Sequence, residues 1–463
     1  MTSMTGKHLA TGSDSVRVAI AGGGIGGMAL ALSLHAAGLT EVDVYESARS
    51  VKELGVGINV QPHATRELTE LGLVDELYAV GIPTAELAYY SRHGQLIWSE
   101  PRGLAAGYRW PQFSIHRGEL LGLLHRAVLE RLGPERVHTG HHLARFEPHA
   151  HGVSAKFIDR DSGEARSHVD ADLLVGCDGI HSVVRRALFP NQGPPKWNGA
   201  TMWRAVTERA PFLSGRTIAM IGGNGRQMVV YPISRRHEAT SRALVNWVAC
   251  FKNAPDQPMP TQDWHHTARL DDVLEPFRSF VFDFLDVPDL IRGAYTIYQY
   301  PMVDRDPLPT WSFGRVTLLG DAAHPMYPVG GNGASQAIID ARVLARELAL
   351  QPSIERAIAA YDAERRPLTE AVVLANRQGG PEKCLDIVEQ RAPHGFVDLD
   401  AVITHQELDE IAQSYKRTAG FAPESLNGRP SLSVGQHRHR GGQASRSVVA
   451  TAATHEHEEL ETT

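Results

Sequence analysis

Cysteine is scarce in this chain: three occur in 463 residues, at Cys177, Cys250 and Cys384. Their odd number and wide separation exclude a disulfide framework and a paired metal-ligand spacing, and fit a reducing compartment. Excess positive charge is also missing. The formal net charge is −7, so no concentrated basic surface is expected to attract nucleic acid. Basic residues are scattered, apart from a small Arg/His cluster at 437–440. Uninterrupted apolar runs are lacking too, with one segment to weigh. From Val18 to Thr40 there is no Asp, Glu, Lys or Arg, and about 20 apolar residues can span a bilayer. Glycines at 22, 23, 24, 26, 27 and 38 interrupt that stretch, and a strand, a turn and a helix account for it. No small-residue cleavage pattern follows it. The chain is expected to be cytoplasmic, with no membrane or nucleic-acid partner.

What is present is ordinary globular material: 42% hydrophobic and 21% charged residues. At about 100–200 residues per domain, the length allows two or three domains and a large core without staples. Residues 1–14 read as a loose terminus. Val16–Ala21 reads as a buried strand, the following glycines as a turn, and the next segment as a helix stopped by Gly38. Val42–Tyr45 completes a β-α-β unit, which implies a parallel sheet. Amphipathic helices are expected over 62–80 and 118–132, and a short apolar strand over 172–176. Between about 200 and 300, short alternating runs such as Gln227–Tyr231 and Leu244–Cys250 predict a mostly antiparallel sheet. A buried strand returns at Val316–Leu319, followed by helices over about 333–350 and 353–376, the second with a kink or junction at Pro367. Residues 421–463 are Ser-, Gly-, His- and Glu-rich and read as a disordered tail.

The run Gly22-Gly23-Gly24-Ile25-Gly26-Gly27 satisfies G-x-G-x-x-G between a strand and a helix. Gly22 permits the tight turn, Gly24 lets the backbone approach a pyrophosphate, and Gly27 allows close helix–strand packing. Free N–H groups near Ile25 and Gly26 then meet a diphosphate along the helix dipole. Glu46 ends the second strand, about 20 residues on, where a carboxylate accepts hydrogen bonds from ribose hydroxyls. These features predict a dinucleotide but do not separate NAD from FAD.

Two later runs do so by resemblance. Leu173-Leu174-Val175-Gly176-Cys177-Asp178-Gly179 is similar to the Asp-Gly motif of the single-component FAD-dependent aromatic hydroxylases. Leu318-Leu319-Gly320-Asp321-Ala322-Ala323-His324-Pro325 is similar to their Gly-Asp motif, and the three motifs follow the family's order. The resemblance covers roughly residues 16–376. It implies a Rossmann-like α/β FAD-binding domain, an interleaved, mostly antiparallel substrate sheet, and C-terminal helices. In boundaries, that is 15–80, 105–190 and 300–350 for FAD, 81–104 and 191–299 for substrate, and 351–420 for the helices.

The same resemblance assigns roles. Asp321 is expected on the flavin ribitol, Asp178 near the diphosphate and the nicotinamide, Arg117 on the flavin chain, and the backbone of Leu143 at the adenine. Read alone, Asp321 is better taken as a helix cap or Asx turn and Arg117 as a surface arginine, while Asp178 also fits a simple Asp-Gly turn and Leu143 a core residue. Pro328-Val329-Gly330-Gly331-Asn332-Gly333 is expected beside the isoalloxazine, with Gly331, Asn332 and Gly333 offering backbone N–H groups. The family more often has Gln at 332 and Asn at 335, where this chain has Asn332 and Ser335. Trp203, Arg204 and Tyr231 are candidates for the substrate pocket, although each also fits a plain core or ion-pair role.

Further stretches, among them Gly55–Pro62, Thr201–Arg204 and Gln299–Pro309, resemble the phenazine-carboxylate hydroxylases within that family. The resemblance implies NADH or NADPH as reductant, O2 as co-substrate, and a flavin C4a-hydroperoxide that oxygenates a ring carbon. For this subgroup it implies oxidative decarboxylation of a phenazine carboxylate. No metal is expected: His141-His142 and His265-His266 are adjacent pairs, which point to opposite faces of a strand. The competing readings are a hydroxylase of another aromatic acid, as in the salicylate hydroxylases, or a nicotinamide dehydrogenase. A halogenase is disfavoured, because the seven tryptophans contain no Trp-x-Trp pair. The protein is expected to be a monomer or homodimer.

Overall fold

A computed structural model describes residues 16–50, 55–223, 225–254, 256–260 and 266–434. The expected tail from 435 onward, residues 1–14 and His265 lie outside the described residues.

The buried strand β1 (Val18–Ala21) lies inside a six-stranded sheet with β2 (Val42–Glu46), β8 (Val137–Thr139), β12 (Leu173–Gly176), β20 (Ser312–Phe313) and β21 (Val316–Leu318). The order is β20-β21-β12-β1-β2-β8, and all pairs except β20-β21 are parallel. Short apolar runs buried on both faces are what a covered parallel sheet requires. Here Ile20, Val44, Val175 and Leu318 are almost fully buried. The register aligns Ala21 with both Gly176 and Tyr45, and Gly176 with Leu318. The segments after β1, β2, β12 and β21 therefore leave the sheet along one edge. That carboxyl edge is where open α/β sheets bind ligands.

Helix α1 (Ile25–Ala36) follows β1 and packs on α4 (Arg117–Leu132) and α8 (Gly333–Leu350). The expected 62–80 helix is two, α2 (Pro62–Glu70) and α3 (Val74–Val80), because Gly72 takes a left-handed φ of 72° between them. Helix α5 (Val183–Leu188) follows the Asp-Gly turn. Helix α9 (Ile354–Arg377) runs on through Pro367, where a kink or junction was expected; Tyr361, Arg365 and Thr369 are buried on either side and pin it.

Two three-stranded sheets flank this layer: β3 (Gly57–Val60), β7 (Gln112–His116) and β4 (Ile82–Thr84), then β11 (Ala165–Ala171), β10 (Gly152–Ile158) and β9 (His142–His149). The expected antiparallel sheet has seven strands in the order β19-β13-β16-β15-β14-β5-β6. They are β19 (Tyr298–Asp304), β13 (Lys196–Arg209), β16 (Ala243–Lys252), β15 (Arg226–Pro232), β14 (Thr217–Gly223), β5 (Glu86–Tyr90) and β6 (Leu96–Pro101). Only β14-β5 is parallel.

Alternation gives this sheet two different faces. Trp203, Ile221, Val230 and Trp247 pack under α6 (Leu270–Phe277) and α7 (Val287–Arg292), beside the small hairpin of β17 (Val281–Phe282) and β18 (Leu285–Asp286). On the other face, Met202, Tyr300 and Met302 meet Tyr327 and Val329. Val206, Met220 and Tyr231 on that face meet α10 (Lys383–Arg391) and α11 (His405–Thr418).

The disordered tail expected from 421 gives way over 421–434. Phe421, Leu426 and Leu432 are buried, α12 (Pro423–Gly428) forms, and Arg429 pairs with the buried Glu67. Three apolar anchors and one ion pair suffice to order a segment whose composition alone lacks periodicity.

Candidate active site

The glycine turn is built by close backbone approach. Gly22 has a φ of 111°, and a Cβ there would overlap the Cys177 carbonyl. A Cβ at Gly27 would overlap the Gly22 carbonyl, so α1 lies against the turn only because Gly27 is bare. Gly24 is different: a Cβ there meets nothing within 4 Å. Open space therefore lies beside the first turn of α1. The first helical N–H to reach a carbonyl is that of Met28, to Gly24 O at 2.9 Å. Those of Ile25, Gly26 and Gly27 precede the ladder and carry the positive end of the helix dipole.

Glu46 ends β2 beside this turn. Its Oε2 accepts the Gly23 N–H at 2.7 Å and its Oε1 accepts the Ala48 N–H at 2.7 Å. The carboxylate is thereby oriented, with lone pairs left over. The Glu46 carbonyl also accepts the His141 N–H at 2.8 Å, which brings the start of β9 alongside. Leu143, two residues on, buries its side chain in the core.

Asp178 follows β12. Its Oδ2 accepts the N–H groups of Val183 at 2.7 Å and Val184 at 3.3 Å, which caps α5. Its Oδ1 is buried and has no partner. Burial raises its pKa. Asp321 follows β21 with an exposed side chain. A Cβ on Gly333, the first residue of α8, would lie 3.9 Å from Asp321 Oδ1. Asp321 is tied to the glycine turn through Leu319, whose Cδ2 would lie 2.9 Å from a Cβ at Gly26.

Arg117 begins α4. Its side chain is exposed, yet protein surrounds it at longer range, as for a group lining a deep crevice. Burial lowers its pKa most, the nearby Arg204 lowers it further, and Asp321 opposes both.

The Pro328–Gly333 turn forms the far wall. Gly330 and Gly331 are left-handed, with φ of 65° and 63°. A Cβ at Gly330 would overlap the Tyr415 hydroxyl, and Pro328 is exposed. The Asn332 side chain is turned inward: it is 1% exposed, and its Nδ2 donates to Gly330 O at 3.2 Å and to the Tyr415 hydroxyl at 3.1 Å. Its amide thus clamps the turn onto α11. Ser335 is likewise structural, its Oγ accepting the Gln61 N–H at 3.1 Å.

Of the three pocket candidates, Trp203 is corrected. It lies on the opposite face of the sheet, under α6 and α7, with its Nε1 donating to Gln299 Oε1 at 2.9 Å. One residue along a strand reverses the face, so Arg204 points toward the crevice and donates through Nη2 to Gly57 O at 2.9 Å. Tyr231 is on that face too but is 4% exposed, its hydroxyl pushed up to about 12 by burial. Glu382 and Tyr415, unread from sequence, also border this space. Glu382 precedes α10, and its Oε1 accepts the Gly330 N–H at 3.1 Å. A separate cavity of about 370 Å³ lies behind α8, lined by Ile339, Val343 and Arg365 among others. None of the crevice residues reaches it.

Among the described residues no cluster of His, Cys, Asp and Glu is arranged to hold a metal ion, and no helix is long and apolar enough to cross a membrane.

The family model described as an FAD binding domain matches residues 15–376. Over 368 residues the chain is 46% identical to phenazine 1,6-dicarboxylic acid hydroxylase of Lysobacter antibioticus, covering 79% of this chain and 90% of that one. It is 33% identical to a 3-amino-4-hydroxybenzoate 2-monooxygenase of Streptomyces platensis, covering 86% and 95%. Among solved structures, HpxO of Klebsiella pneumoniae complexed with FAD and uric acid superposes with a TM-score of 0.65 at 25% identity, covering 89% and 95%.

Proposed function

Because the chain belongs to the FAD-dependent aromatic hydroxylases, we propose that its substrate is a phenazine carboxylate, hydroxylated with loss of the carboxyl group as CO2. The observation that carries this reading is the shared edge: the Gly22–Gly27 turn, Glu46, Asp178 and Asp321 all leave parallel strands on the side that Arg204 faces. The 46% identity to a phenazine hydroxylase supports the substrate class.

The residues fit FAD. The open space at Gly24 suits a pyrophosphate, and the partnerless Asp178 Oδ1 suits a donor from the cofactor or from nicotinamide. Glu46 would take the adenosine ribose, the backbone near Leu143 the adenine, and the N–H groups of Ile25, Gly26 and Gly27 the diphosphate. Arg117 and Asp321 would hold the ribitol chain. The backbone at Gly331, Asn332 and Gly333, with the positive end of α8, would meet the pyrimidine edge. When bound, the flavin supplies the redox chemistry: it accepts hydride from NADH or NADPH and activates O2 for transfer to a ring carbon. The protein orients the ring, keeps water out and places charge. Arg204 would hold the substrate carboxylate through its free Nη1, with Pro328 and Tyr231 bounding the ring.

In domain terms, residues 15–80, 105–190 and 305–350 would bind the flavin, and 81–104 with 191–304 the substrate. The expected boundary at 299/300 moves because Tyr298–Asp304 is an edge strand of the larger sheet.

Purified protein should be yellow, and a methylated phenazine carboxylate should stimulate NADH and O2 consumption with release of CO2. Stimulation by simple phenolic acids alone would overturn the substrate class. Arg117→Ala should weaken FAD retention at least tenfold, read by equilibrium dialysis of the flavin.

A further inference from the structure

The crevice between the seven-stranded sheet and the Pro328–Gly333 turn has unlike ends. One end is cationic, with Arg204 on β13 and Arg117 beyond it. Its floor is apolar: Met202, Val248, Cys250 and Tyr300 lie on one sheet face, with Val248 opposite Arg204 and Cys250 opposite Met202. Glu382 borders the same floor at Cys250 and reaches the Pro328–Gly333 turn through Gly330. Both Glu382 and Arg204 act electrostatically on Cys250, from opposite signs, while neither pairs with the other.

Among the described residues Glu382 is a carboxyl without a basic partner. Arg102 and Lys416 are both committed to Glu100, at 3.2 Å and 2.6 Å. Its one protein bond is Oε1 to the Gly330 N–H. With that oxygen pinned to the turn, Oε2 is left with no hydrogen-bond partner on a partly exposed side chain. That oxygen is open to solvent and free to accept from a ligand seated in the crevice.

Resting on the substrate reading above, we propose that Glu382 determines specificity: its Oε2 selects aromatic carboxylates that carry a cationic ring nitrogen or a hydrogen-bond donor at the edge away from the carboxylate. Arg204 takes the anionic end, the apolar floor takes the ring, and Glu382 takes the opposite edge. The slot thus matches a zwitterionic heteroaromatic acid better than a simple benzoate, whose far edge offers Glu382 nothing.

Glu382 also gives the selection a pH signature. Burial pushes its carboxyl up to about 7, against the bond from Gly330. The thiols and phenols facing it keep their protons near that pH. Burial pushes the thiols of Cys250 and Cys384 up to about 12 and raises the hydroxyls of Tyr89 and Tyr415 as well. Glu100 and Arg102 are paired, and Asp386 adds a neighbouring negative charge.

The experiment is an equilibrium titration of the FAD-loaded enzyme, read from flavin absorbance, with a phenazine carboxylate and its N-methylated cation between pH 6 and 8. The cation should gain affinity over the neutral ring by about tenfold as pH rises and Glu382 ionises. In Glu382→Gln that gain should vanish, the KM for the cation should rise with kcat nearly held, and FAD content should be unchanged. Glu382→Asp, which keeps the charge, should restore part of the pH dependence. Binding of both compounds with a pH-independent ratio already in the wild type, or an unaltered ratio in Glu382→Gln, would overturn the role of Glu382 alone. Failure of both compounds to bind the wild-type enzyme would overturn the phenazine reading and this proposal together.

Discussion

A methyl group added at Gly24 points into empty space, whereas one added at Gly27 strikes the Gly22 carbonyl. The two glycines of one motif therefore meet different demands, and substitution separates them. Gly24→Ala should leave the apoprotein's stability within about 0.5 kcal/mol, since Gly24 has an ordinary φ of −73°. It should nevertheless weaken FAD binding by an order of magnitude or more, because the methyl occupies the space where a pyrophosphate would lie. Gly27→Ala should destabilise the apoprotein itself by about 1–3 kcal/mol, the range for overpacking a tight contact. Thermal melts of the two apoproteins, with fluorescence titration by FAD, check both; wild-type FAD affinity in Gly24→Ala would refute the pyrophosphate placement. At this scale Asp321 was reached only through the resemblance of its motif, whereas the glycines were legible in sequence because backbone demands leave few residue choices. Glu382 and Tyr415 were not, since a lone carboxylate or phenol on a C-terminal helix carries no local pattern. Their meaning comes only from what the chain places opposite them.

At the scale of elements, the Pro328–Gly333 turn is fastened from behind. The Tyr415 hydroxyl of α11 accepts from Asn332 Nδ2 and reaches Asn376 Oδ1 at 2.8 Å and Val329 O at 3.1 Å. Tyr415→Phe strips these buried groups of a shared partner, a loss of about 1–3 kcal/mol. It should lower the melting temperature by a few degrees and loosen the turn, read as increased fluorescence of bound flavin. Unchanged melting and fluorescence would show that the clamp is idle. Strand alternation decides another matter at this scale. Trp203 and Arg204 are neighbours in sequence, yet a period of two sends one to the core and the other to the crevice. No inspection of the Met202-Trp203-Arg204 run settles which is which, because both faces of this strand are largely covered. The β9–β11 sheet also went unread, for a related reason: its strands bear many charged, solvent-facing residues that blur the alternation. A sequence signal was available for α11, where Thr404 and Glu407 form a reciprocal capping box.

At the scale of the whole molecule, the layers are joined by buried polar groups as well as by apolar cores. Asp340 accepts from Gly320 N at 3.2 Å and pairs with His324 at 2.5 Å and Arg365 at 2.7 Å, fastening the loop of Asp321 to α8 and α9. His63, on α2, is fully buried against Phe421 and held neutral, its pKa lowered to about 3 by burial and then by Arg429 and Arg365. Its folded pKa lies below the unfolded one, so its contribution to stability is present above about pH 6.5 and is lost as pH falls toward 3. Over that window it should add a slope of about 1.4 kcal/mol per pH unit to the acid destabilisation. Urea unfolding at several pH values measures this. A His63→Phe protein with the same slope as the wild type would rule the residue out.

The sequence by itself determined the parallel layer, the glycine turn and the carboxylate of Glu46 after the second strand, and its motifs carried the resemblance to the family. The layer and the turn depend on local backbone geometry and on short apolar runs, which leave marks within a few residues. Only the tertiary structure decided that 421–434 folds, that Trp203 faces away, that Asn332 turns inward and that Glu382 borders the floor that Arg204 also reaches. Each of those depends on which distant surface covers a residue. Burial and charge pairing between segments far apart in the chain are set by packing, not by neighbours along the sequence.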